Sequence, residues 1–75
     1  MSATDPAPTN WVAGNGEMVS VGDYVALELT RSSVGRIIAV ADDHTGRPVV
    51  MITEGKGAGN TITVWPAQML LKVLR

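Results

Sequence analysis

The chain offers few residues whose types and spacing could do chemistry, and each group implies a different reaction class. Gly55, Lys56, Gly57, Ala58 and Gly59 form a glycine-rich stretch with one cation, a composition able to hold phosphate on backbone N–H groups. A nucleotide-binding loop, however, needs its Lys followed by Ser or Thr at a helix start. Here Gly57 follows Lys56 and the stretch runs into a strand pattern, so it reads as a flexible hairpin connection. Asp42, Asp43 and His44 carry metal-ligand side chains. Three consecutive turn residues do not readily aim at one ion, and no second cluster completes a coordination set, so no metal site is expected. His44 is the sole histidine, and Ser32 and Ser33 lack any surrounding motif that would activate a hydroxyl. No catalytic residue is assigned. The strongest remaining candidate is Trp65, which ends the segment Thr61, Ile62, Thr63, Val64, Trp65. Alternation places Ile62 and Val64 on an inner face and Thr61, Thr63 and Trp65 on an outer one. Trp is enriched among interface anchors, so an outward Trp65 points to a contact surface.

The elements that must position these residues are strands. From Met18 onward, short apolar runs alternate with turn residues at nearly regular intervals, the texture of small all-β folds. Gly22 and Asp23 open a strand over residues 24–30, with Val25, Leu27 and Leu29 alternating against Ala26, Glu28 and Thr30. Residues 34–41 form a second strand, apolar on both faces toward its end. Residues 49–54 form a third, introduced by Pro48. Residues 61–65 form a fourth, ended by Pro66, which cannot donate to a ladder. A short 3₁₀ turn over residues 66–69 precedes a last strand at residues 70–74. The expectation is an all-β fold, a small five-stranded SH3-like barrel over residues 18–75, preceded by a disordered N-terminal tail at residues 1–17. Trp11 and Val12 interrupt the polarity of that tail and are read as a local hydrophobic contact. If Ile38, Val40, Val50 and Ile52 also face outward, the exposed apolar area requires a partner.

Composition narrows the functions open to such a fold. Seventy-five residues make one domain, with no Cys to staple it and no Phe in its core. Self-association is the staple left. Six basic residues against seven acidic ones leave a net charge of −1, which provides no footprint for a nucleic-acid backbone or an anionic membrane. Arg31, Arg36, Arg47, Lys56, Lys72 and Arg75 are scattered rather than clustered. No apolar run approaches bilayer length and no signal-peptide pattern opens the chain, so a cytoplasmic protein is expected.

Gly22, Asp23, Tyr24 and Val25, then Gly35, Arg36, Ile37 and Ile38, then residues 61–66 with residues 70–73, make the chain resemble SH3-like small barrels. Among these it is similar to the plasmid-borne type II dihydrofolate reductases. That resemblance implies four subunits around a pore, in which a Val-Gln-Ile-Tyr segment from each binds nicotinamide cofactor and dihydrofolate. Position by position the segment falls on Ile62, Thr63, Val64 and Trp65, the cofactor-binding residues the resemblance implies, with NADPH as cofactor. The family's paired lysines fall on Leu27 and Glu28. Thr63 offers one donor on a shorter arm than Gln, and Glu28 repels a phosphate-bearing cofactor. The early Gly-Asp-x-Val and Gly-x-Ile features are also shared with RNA-binding modules of the KOW class. We therefore expect a non-catalytic binding and assembly module without cofactor, forming a homodimer or homotetramer or meeting a protein partner. Thr63, Trp65, Ile38 and Val40 are its interface candidates. The reductase is the alternative, and nucleic-acid binding a minor one.

Overall fold

The structure, a computed structural model, describes residues 10–28 and 33–74. Expectations for residues 1–9, for Leu29, Thr30, Arg31 and Ser32, and for Arg75 lie outside the described residues.

The fold is all-β. Seven strands run β1 (Asn10–Val12), β2 (Met18–Ser20), β3 (Tyr24–Leu27), β4 (Ser33–Val40), β5 (Pro48–Glu54), β6 (Thr61–Thr63) and β7 (Met69–Val73), with a 3₁₀ turn at Pro66–Gln68. Among the described residues the antiparallel ladders form two sheets, a hairpin of β1 and β2 and a five-stranded sheet ordered β6-β5-β4-β3-β7. The sequence pattern predicts five strands, and seven are present among the described residues. The two additional strands come from Asn10–Ser20, most of which the polar composition had assigned to a tail.

That boundary moves because of one residue. Trp11 is only 7 % exposed and joins Ala13 and Val19 in the core. Its indole Nε1–H donates to the Gly46 carbonyl at 2.7 Å, satisfying the polar tip of a buried ring. A short polar segment too weak to order itself is ordered by a single large side chain that finds both a core and an acceptor.

The five-stranded sheet turns Val25, Leu27, Ile37, Val50, Ile52 and Met69 toward Trp11, Ala13 and Val19. The apolarity on both faces of β4 has a geometric cause. The register of β4 on β5 shifts between Ile37 and Ala39, so Ile37 points in, Ile38 points out, and Val40 returns to pack against the core. Val40 is therefore not beside Ile38 on the outer face, and Val50 and Ile52 are core rather than surface.

Gly35 pairs with Val25 on one side and Ile52 on the other. A Cβ placed on it would collide with Val50 Cγ1 and come within 3.0 Å of the Met51 carbonyl oxygen. Backbone cannot yield as a flexible side chain can, so Gly35→Ala should cost about 1–3 kcal/mol in urea unfolding. Trp11→Phe keeps most of the apolar volume but strands the Gly46 carbonyl, a loss of about 1–3 kcal/mol by the same measurement. An unchanged midpoint for either variant would contradict this packing.

Candidate functional site

The surface around Trp65 is built by two turns. Pro66 starts the 3₁₀ turn, and Gln68 reaches back so that its Oε1 accepts from Trp65 N at 2.8 Å while Gln68 N donates to the Trp65 carbonyl. The backbone of Trp65 is thereby closed on itself. Its ring is 55 % exposed, while the neighbouring Val64 is 1 % exposed and belongs to the core. Thr61 and Thr63 are exposed and Ile62 is half-buried against the core, so the inner and outer faces follow the alternation of the sequence.

The turn between β4 and β5 approaches the same ring. Arg47 Cζ lies 4.4 Å from the Trp65 ring centroid, a cation–π contact, and Arg47 Nη2 donates to Asp43 Oδ2 at 2.9 Å. The Thr45 amide and hydroxyl both donate to Asp43 Oδ1, and Arg47 Nε donates to Thr45 Oγ1 at 3.1 Å. An exposed cation–π contact contributes only about 0.5–1 kcal/mol. Its effect here is positional, since it covers one ring face of Trp65 and holds the guanidinium in place. The signal for this contact was weak in sequence, because Arg47 and Trp65 stand in different strand connections and only the pairing of β5 with β6 brings them together.

The other chemical candidates dissolve into local structure. Asp43 is committed to Thr45 and Arg47, and His44 is an exposed turn residue with φ of 69°. Among the described residues no three His, Cys, Asp or Glu side chains gather as a metal-holding group. In the glycine-rich loop, Gly55, Gly57 and Gly59 all have φ near 90°, a conformation that favours glycine. The amides of Ala58, Gly59 and Asn60 already donate to the carbonyls of Gly55, Ile52 and Gly57, so they are spent on shaping the hairpin. Ser33 is buried at the start of β4.

The residues that the reductase resemblance would use are divided. Thr63 and Trp65 face solvent, Ile62 is partly covered, and the Val64 side chain is enclosed. Leu27 is also core, and Glu28 is exposed with its amide donating to the Gln68 carbonyl. No protein-family model, curated protein or solved structure matches the chain. No helix among the described residues is long and apolar enough to cross a membrane.

Asp43 gives this surface a pH signature. The Thr45 hydroxyl, then the Arg47 guanidinium, then the Thr45 amide draw its carboxyl from 3.8 down to about 2. A depressed folded pKa means that the turn holds fully above about 3.8 and loosens as pH falls through about 2. A carboxyl-carbon NMR titration should place the Asp43 midpoint near 2, and Arg47→Ala should raise it. A wild-type midpoint at the ordinary value would show that these bonds do not form.

Proposed function

We propose that this chain is a small SH3-like β-barrel module that works by binding, through self-association, and carries no catalytic site. What supports the barrel is the antiparallel order of the five-stranded sheet, bent by register shifts at Ala26/Leu27, Val34/Gly35 and Ile37/Ala39 and covered on its core side by the separate Trp11 hairpin. Register shifts of this kind increase local twist and curl a sheet toward closure.

The observation that carries the binding reading is the outer face of that sheet. Ile38 is 41 % exposed, Met51 37 %, and Trp65 55 %, and Leu71 is exposed on the same sheet. Arg36 and Tyr24 lie among them, with Arg36 Cζ 5.8 Å from the Tyr24 centroid. A face with two aromatic rings, aliphatic neighbours and two stacked guanidiniums, Arg36 on Tyr24 and Arg47 on Trp65, has the composition of an interface core. The chain lacks Cys, so burying this face in a second copy is the stabilisation open to it. Ile38, Thr63 and Trp65 form the contact surface in this reading, and Val40 supports it from the core side.

Light scattering on a sizing column should give a dimer or tetramer mass at tens of micromolar, and Ile38→Asp should lower that mass. A wild-type monomer at that concentration would end the reading. The exposure of Thr63 and Trp65 on one side favours one further reading, a shared pore like that of the type II reductases. It conflicts with the enclosed Val64 side chain and the acidic Glu28. NADPH oxidation with dihydrofolate, compared between wild type and Thr63→Ala, should show no turnover above background. A Thr63-dependent rate would establish the reductase instead.

A further inference from the structure

The two edges of the five-stranded sheet are treated differently. The edge at β7 is closed by the loop between β1 and β2. Gly14 N donates to the Met69 carbonyl at 2.7 Å, Asn15 N donates to the Leu70 carbonyl at 3.1 Å, and Lys72 N donates to Glu17 Oε1 at 3.2 Å. Glu17 is itself held by Asn15, and the Asn15 amide followed by the Lys72 amide lowers its pKa. Every device here spends polar groups on covering a strand edge.

The edge at β6 has no such cover among the described residues. Ile52 N donates to the Asn60 carbonyl and Val64 N donates to the Pro48 carbonyl, so Asn60, Ile62 and Val64 direct their backbone groups at β5. By the alternation of an antiparallel ladder, Thr61 and Thr63 direct theirs away from it. Both residues are exposed, and neither backbone appears in any turn or loop hydrogen bond. Trp65 would be the next outward residue, but its N–H and C=O are closed by Gln68. The open edge is therefore two residues long. It carries no charge, proline or bulge, features that keep such edges apart, and is guarded only by its shortness.

We propose that this edge pairs antiparallel with the same edge of a second copy, about a two-fold axis at Ile62. The proposal rests on the self-association reading and adds the β6 edge to the contact that this reading places on the outer face. Two outward residues of the same parity are self-complementary, because Thr61 meets Thr63 of the second copy and Thr63 meets its Thr61. Each such pair exchanges both N–H···O bonds, giving four in all. Thr–Thr neighbours then line the outer face across the seam, a favourable cross-strand pair. Beyond these two pairs the register ends, because Gly59, at φ 94°, lies in the loop before β6 and the Trp65 backbone is closed by Gln68. A second copy presents this two-residue length with the matching parity by symmetry, which a partner of unrelated sequence does not.

Area bounds the strength of this pairing. A standard interface buries about 800 Å² per copy, roughly a sixth of the 4830 Å² surface of this chain. Four hydrogen bonds at a strand edge do not bury that much alone. The exposed parts of Trp65 and Met51, on the outer face beside the seam, add apolar area but leave it below the standard size, in the range of a weak, reversible dimer.

The test uses the full chain. Thr63→Pro removes one donor from each copy while leaving the bonds to β5 untouched, since the lost N–H points outward. It should halve the mass of the wild-type assembly on a sizing column and raise its dissociation constant about tenfold or more. Thr63→Val, which keeps the backbone donor, should retain the assembly. In wild type, the amides of Thr61 and Thr63 should exchange with deuterium more slowly as concentration rises, whereas that of Ile62 should not change. An assembly that Ile38→Asp dissociates, but in which Thr61 and Thr63 exchange rapidly at all concentrations, would overturn the edge pairing and leave self-association standing. A wild-type monomer throughout would overturn both.

Discussion

The indole of Trp11 is the contact on which the arrangement depends. Its ring completes a core otherwise made of Val, Ile, Leu, Met and Ala, and its N–H ties the first hairpin to Gly46, far along the chain. Gly46 sits in the turn that delivers Arg47 to the face of Trp65. One buried aromatic side chain thus connects the interior to the exposed aromatic one. In a chain without cysteines, bridging two sheets through a single filled and satisfied ring does part of what a cross-link does elsewhere.

The hairpin anchored by Trp11 serves the sheet a second time. With the ring in place, the loop after β1 lies along β7, and its amides and the Glu17 carboxylate close that edge. At the far side of the sheet the 3₁₀ turn closes only Trp65 and stops short of Thr63. Among the described residues the sheet is guarded at one margin and open over two residues at the other. That asymmetry follows from where the chain has spare segments to lay against itself, and it concentrates the unpaired polar groups beside the exposed Trp65.

The outer face is shaped by a register shift rather than by composition. Ile37, Ile38, Ala39 and Val40 form an unbroken apolar run, from which strict alternation would assign every second residue to solvent. The extra residue in β4 divides that run into Ile37 and Val40 facing in and Ile38 facing out. The surface that results is smaller than two-sided apolarity implies, and it is centred on β4, β5 and the end of β6.

Much of the fold was legible because strand alternation and turn chemistry are local. Residues 24–27, 34–40, 49–54 and 61–63, the Pro66 stop and the 3₁₀ turn all follow from side-chain period and from glycine and proline positions. The inward Val64 and outward Thr63 and Trp65 were determined in the same way. What only the tertiary structure decided involves partners distant in sequence: Trp11 ordering an otherwise polar segment, the shift at Ile38, the stacking of Arg47 on Trp65, and the difference between a covered β7 and an open β6. A local pattern records which way a side chain points relative to its neighbours. It holds no information about which distant backbone carbonyl will be there to accept a bond, and that choice is what made the surface.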